Sequence, residues 1–164
     1  MRFIKILIGI YISLIFFLNA DPLDTYWQQQ VDYDMDIKLV DSLQQITGFT
    51  TIRYTNNSPD SLDKIYMHLY PNAFQVESVK YREYVGNAGR ASRAKYFKDK
   101  LEEFTSKIEI HNFNIAQKKN PILKEYSIDD TILKATLLKK LAPGETMRID
   151  LEWTHHVGEM IERA

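Results

Sequence analysis

The chain has no cysteine, which rules out disulfides, a thiol nucleophile and a lipidated N-terminal cysteine. Glycine and proline are sparse, 6 and 5 in 164 residues, so low-complexity architectures are excluded. Neither charge dominates: 21 Lys and Arg face 22 Asp and Glu, and the formal net charge of −1 offers no electrostatic footprint for nucleic acid. The metal-binding helix motif His-Glu-x-x-His, the G-x-S-x-G elbow and the phosphate-binding loop do not occur. No catalytic and no metal-ligating residue is therefore assigned, and no cofactor is expected in this chain. What is present is ordinary: 45% hydrophobic residues and a 12% aromatic share that includes 10 tyrosines. That suits one domain with a sizeable core and leans toward strands, on which flat rings pack well.

The one long apolar run lies at the start. Arg2 and Lys5 precede Ile6 to Leu18, and Asn19-Ala20 offers a small residue for cleavage ahead of Asp21. The run falls short of the roughly 20 apolar residues that span a bilayer. Residues 1–20 are read as a signal peptide, with an uncleaved anchor as the alternative because Leu18 is bulky for its place before the cut. The expected location is periplasmic, cell-surface or extracellular. Residues 21–30 form a polar linker in which Trp27 could tuck against the domain.

From Val31 a period of two sets in, with Val31, Tyr33, Met35, Ile37 and Leu39 on one face and Asp32, Asp34, Asp36 and Lys38 on the other. That is a half-buried strand. A second strand covers Gln45 to Thr55. Gly48 within it signals a bulge or a close backbone approach, and Phe49, opposite in parity to Ile52, suggests partial cover on both faces. Asn56, Asn57, Ser58, Pro59 and Asp60 then form a polar turn whose asparagine side chains can satisfy exposed amides. A third strand runs to Leu69, so that Tyr54 to Phe74 reads as a β-hairpin with an aromatic second arm.

Residues 75–106 break the pattern as a short helical or irregular insertion. Seven basic residues stand against Glu83 and Asp99 between Val79 and Lys100, and Phe97, Leu101 and Phe104 have helical spacing. Strands resume at Lys107, where Ile108 and Ile110 share a parity that Phe113 and Ile115 do not, so a bulge near Asn112 is expected. Short strands follow around Tyr126 to Ile128 and Thr131 to Leu138. Pro143-Gly144 suits the centre of a type II turn, and Thr146 to His155 closes with Met147, Ile149, Leu151 and Trp153 inward. About seven strands with regular turn signals predict an all-β fold, an antiparallel β-sandwich over residues 31–164.

Four features could carry chemistry or binding. His156, Val157, Gly158 and Glu159 read as His-x-x-Glu, a ligand spacing that works on a helix, but here it follows a strand and contains glycine. The Asp32, Asp34, Asp36 row could face calcium or a basic partner, although same-face strand neighbours lie about 6.5–7 Å apart. The basic insertion could meet an anionic surface or the aspartate row. Tyr54, Tyr66, Tyr70 and Phe74 offer aromatic surface for burial within the chain or against a neighbour, and form the candidate docking surface.

The words Tyr33-x-Met35-x-Ile37, Ile46-Thr47-Gly48, Arg53 through Asp60, Tyr66-x-His68-Leu69-Tyr70-Pro71-Asn72-Ala73-Phe74 and Leu141 through Glu145 closely resemble the N-terminal β domain of the gluzincin zinc aminopeptidases, the aminopeptidase N family. The resemblance covers about Tyr26 to Ala164. It implies a β domain packed beside a thermolysin-like catalytic domain that follows in sequence and holds the zinc, the glutamate base and the loop that recognises the peptide N-terminus. None of those residues can be carried over to this chain. The implied partner is that catalytic domain, in cis, with peptide substrate reached only through it and zinc only in the parent enzyme. The preferred function is thus a non-catalytic domain, a fragment of an exported zinc metallo-aminopeptidase. A free-standing exported protein- or glycan-binding module is the alternative, and a zinc hydrolase using His155, His156 and Glu159 is the least favoured.

Overall fold

The computed structural model describes residues 26–75, 78–86 and 105–158. Eight strands lie among them: β1 Gln30–Val40, β2 Gln45–Thr55, β3 Leu62–His68, β4 Lys107–Gln117, β5 Asn120–Pro121, β6 Leu123–Asp129, β7 Ile132–Leu141 and β8 Thr146–His156. They form two antiparallel sheets, one ordered β1-β2-β8-β4-β5 and the other β3-β7-β6. The expected all-β sandwich is what the chain forms. One helix, α1 at Val79–Gly86, follows a short 3-10 turn at Tyr70–Phe74. The helix expected around Phe97 to Phe104 lies outside the described residues.

The core lies between the inner faces of the two sheets. Ile52, Met147, Ile149, Leu151, Phe113 and Ile115 from the larger sheet meet Ile65, Leu133, Ala135, Leu137 and Leu141 from the smaller. Burying each such aliphatic side chain contributes about 1.5–3 kcal/mol. The parity change between Ile110 and Phe113 is resolved as expected, by a register shift against β8 between Ile110 and Asn112 that leaves His111 as the extra residue. Gly144 takes the left-handed conformation of a type II turn, at φ +76.

The Tyr54–Phe74 stretch is not the hairpin that the sequence suggests. β2 pairs with β1 and β8, whereas β3 pairs with β7 in the other sheet. The polar turn is therefore a crossing between sheets. Its pivot is Asn56, which is fully buried and far from the exposed-amide role expected of it. Its side-chain amide donates to the carbonyls of Asp60 at 2.7 Å and Leu141 at 3.0 Å. Its Oδ1 accepts from the Ser58 amide at 3.0 Å and the Ser58 hydroxyl at 2.6 Å. The backbone amide of Asn56 donates to Glu145 O and its carbonyl accepts from Gly144 N. One side chain thus ties the β2–β3 crossing to the β7–β8 turn and leaves no polar atom of its own unpaired.

Three burial expectations are corrected. β1 forms as expected, but its residues from Asp32 to Leu39 are exposed on both faces. The smaller sheet, with three strands against five, packs over β8, β4 and the Ile52 end of β2 and leaves β1 uncovered. Phe49 is likewise exposed, because no described element lies over the outer face of the larger sheet. Trp27 is exposed too. The linker attaches instead through Gln29 Oε1, which accepts from the Asn57 amide, and Gln28 O, which accepts from Asn57 Nδ2.

Candidate functional site

The four aromatics nominated from sequence do not share one face. Tyr54 stands opposite Val31 and Met147 on the inner side of the larger sheet. It is half-buried against the core, and burial pushes its phenol pKa up. Tyr66 and Tyr70, 60% and 61% exposed, lie at the outer side of the smaller sheet, since the intervening Ile65 and Leu69 point into the core. Tyr70 stacks on His68 with ring centroids 5.0 Å apart and planes 5° from parallel. Phe74 is half-buried, and Lys80 Nζ sits 3.9 Å above its ring centroid, a cation–π contact.

A more continuous apolar surface lies on β1. Tyr33, Met35, Ile37 and Leu39 are 61%, 48%, 52% and 67% exposed and pair across β2 with Ile52, Thr50, Gly48 and Ile46. Directly opposed residues share a face, so this row belongs to the same face as the core. Trp153 marks the border. It packs against the core cluster, lies flat over Gly48, and donates from Nε1 to Thr50 Oγ1 at 2.9 Å. A Cβ on Gly48 would stand 2.5 Å from the Trp153 ring. This is the close backbone approach that the glycine signalled; the register through β2 is unbroken. Sequence reasoning took the β1 row as core. Its period-two signal was plain, but alternation says only that a face is apolar and leaves open what covers it.

The opposite parity of β1 carries Asp32, Asp34 and Asp36. Asp32 faces Arg53 across β2 and accepts from Gln30 Nε2 at 3.3 Å. Asp34 and Asp36 face Thr51 and Phe49 and make no ion pair among the described residues. Two strands over, Asp150 is satisfied by Arg148 Nε and by the Thr51 hydroxyl, both at 2.8 Å. Lys38 shares this parity of β1, and Glu152 of β8, opposite Phe49, lies on the same face; the aspartates leave the β1 part of the face net negative.

A polar cleft of about 600 Å³ opens between α1, β4 and the β6–β7 turn. Lys107 donates to Glu109 at 2.8 Å, and His156 Nε2 lies 3.5 Å from the same carboxylate. These contacts, Lys107 first, hold the Glu109 carboxyl below its ordinary range. His155 Nε2 lies 2.9 Å from Ser106 Oγ. Burial, followed by the neighbouring His156, lowers the His155 pKa. A nucleophilic serine needs a base that is itself oriented by a third group, and no such contact to His155 occurs among the described residues. Likewise, no three His, Asp or Glu side chains converge as metal ligands among the described residues. Glu159, the partner of His156 in the sequence motif, lies outside them.

No family model matches the chain, and no curated protein matches it. Among solved structures, it is similar to a mutant M1 zinc metallopeptidase from Deinococcus radiodurans, with a TM-score of 0.45 and 13% identity. That likeness covers 78% of this chain and 20% of the metallopeptidase. This chain thus spans about a fifth of that protein's length.

Proposed function

We propose that this chain is a non-catalytic N-terminal β domain of an exported zinc metallo-aminopeptidase, which docks on and flanks a catalytic domain. The observation that carries the reading is the apolar row Tyr33, Met35, Ile37 and Leu39, continuous with the core yet open to water. A contiguous apolar face of this kind marks an interaction surface, and its burial is favourable by about 25 cal/mol per Å². The family words around the sheet crossing supply the kind of partner. Tyr66, Tyr70 and Phe74 would add a second contact on the other sheet, with Tyr54 bracing the first from within. The zinc belongs to the partner in this reading. The described residues here do not fit it, having no converging ligand set.

The gene supplies the first test: the reading frame should continue into a segment encoding His-Glu-x-x-His, and a stop codon with no such frame beyond it sinks the fragment reading. A catalytic domain supplied in trans should bind this chain and lose affinity when Met35 and Ile37 are both changed to Ser. The second reading, a free-standing glycan-binding module, is favoured by the parallel His68–Tyr70 pair, a flat platform on which a sugar face could stack. It predicts binding on a glycan array that Tyr70→Ala abolishes.

A further inference from the structure

We infer that β1 takes an additional strand: an extended segment of a protein partner, with side chains alternating apolar and basic, extends the five-stranded sheet at its free edge. This rests on the docking reading above and states which element docks and what chemistry it accepts. β1 is 11 residues long and pairs with β2 at every residue from Gln30 to Val40 without a register shift. Among the described residues it makes no backbone hydrogen bond from its other edge. Protein edges that are meant to stay free carry bulges, prolines, lysines or inward-pointing charges, and of these β1 has one lysine, Lys38, near its end. β1 has no proline and no bulge toward β2, and its core-side parity is Val31, Tyr33, Met35, Ile37 and Leu39.

Both faces of β1 then select the incoming strand. Adjacent strands lie about 4.8 Å apart and directly opposed side chains touch. One parity of the added strand would sit beside Tyr33, Met35, Ile37 and Leu39 and must be apolar. The other would sit beside Asp32, Asp34, Asp36 and Lys38, a net negative row that favours cations over acids. The same row disfavours most pairings with a second copy of this chain: antiparallel self-pairing centred on Tyr33, Asp34, Met35 or Asp36 sets aspartate opposite aspartate, as does a parallel pairing in register. Self-pairing centred on Ile37 sets Asp36 opposite Lys38 but leaves Asp32 and Asp34 without a matching charge. The chain's own basic stretch from Val79 to Lys100 loses the alternation at Tyr96-Phe97 and fits the edge poorly.

The test titrates the isotope-labelled full chain with a synthetic peptide of alternating lysine and valine, following amide shifts and hydrogen exchange residue by residue. The expected result is new protection of those β1 amides that point away from β2. Affinity should fall about tenfold in an Asp34→Asn/Asp36→Asn variant, as it should with added salt, since each cross-strand charge pair contributes modestly. A glutamate–valine peptide should not bind. The inference is overturned if shifts map to β3 or β6, if the acid substitutions leave affinity unchanged, or if the β1 edge amides are already protected in the free chain. Concentration dependence of that protection would identify a second copy as occupant, and its absence the chain's own basic stretch. The two proposals fail separately. A catalytic domain that binds in trans while the β1 edge amides still exchange overturns the added strand alone. A gene without a catalytic domain overturns the aminopeptidase reading and leaves the peptide result standing.

Discussion

Replacing Asn56 by Ala removes the one side chain that joins the sheet crossing to the β7–β8 turn. The partners left behind are the carbonyls of Asp60 and of Leu141, a fully buried residue, the amide and hydroxyl of Ser58, which is 3% exposed, and the part-buried Gln29 Nε2, which donates to Asn56 Oδ1 at 3.2 Å. A typical hydrogen bond contributes about 0.5–1.5 kcal/mol net, and a buried group left unpaired costs about 1–3 kcal/mol. Ser58 keeps one partner, since its hydroxyl also donates to Asp60 O at 3.0 Å, so the expected loss is about 3 kcal/mol. That is a large share of the roughly 5–15 kcal/mol by which domains are stable. At a urea dependence of about 1–3 kcal/mol per molar, the unfolding midpoint should drop by roughly 1–3 M, read from Trp153 fluorescence and far-ultraviolet dichroism. Asn57→Ala, which loses an exposed contact to Gln28 O, should stay within about 0.5 kcal/mol of wild type. Asn56→Asp keeps the acceptor for Ser58 but turns a carboxylate toward two carbonyls, so at neutral pH it should be less stable than Asn56→Ala. The gap should narrow on acidification, because a protonated carboxyl can donate to one of those carbonyls. The reasoning is refuted if Asn56→Ala lies within about 0.5 kcal/mol of wild type or if Asn56→Asp matches wild type at pH 7.

Gly48→Ala should cost about 1–3 kcal/mol by driving a methyl group into the Trp153 ring, with a red shift of tryptophan emission as the ring moves toward water; an unshifted spectrum and midpoint count against it. Gly144→Ala should cost about 1 kcal/mol or somewhat more through its φ of +76 alone, since a Cβ there meets nothing within 4 Å; a neutral result in the same melt rejects that account. His155 has a lowered folded pKa, so the unfolded chain binds the proton more readily. Its contribution to stability is therefore full above the unfolded value and is lost as pH falls from there through the folded value. His155→Asn should flatten the drop in urea midpoint between pH 7.5 and 5.5. Glu109 has a depressed pKa, so its contribution is present above the ordinary carboxylate range and disappears only in more acid solution. Glu109→Gln should remove that acid-side contribution, read as a smaller change of urea midpoint with pH in the same melts.

Strand positions were legible because side-chain parity is a local property. Gln45 to Thr55, the His111 bulge and the Gly144 turn all follow from two-residue alternation and turn chemistry. Sheet membership was not legible. A short polar turn between two apolar strands reads as a hairpin, whereas β3 pairs with β7, distant in sequence, and the crossing is tied by a hydrogen bond from Asn56 to Leu141, 85 residues away. Helix α1 was missed because Val79-Lys80-Tyr81-Arg82-Glu83 has no apolar stripe. The uncovered β1 face was missed for the reason that makes it informative, since the sequence of an interface strand and that of a core strand have the same period.

The position of β8 bears on how the chain is made. It is made after every other described strand, yet it lies between β2 and β4 and pairs with both. Until it arrives, β1 and β2 stand as an isolated strand pair, marginal in water, with an apolar face and two open edges exposed. The larger sheet closes only once β8 has been made, in a step dominated by distant contacts, and until then its open edges depend on the rest of the chain or a chaperone for cover.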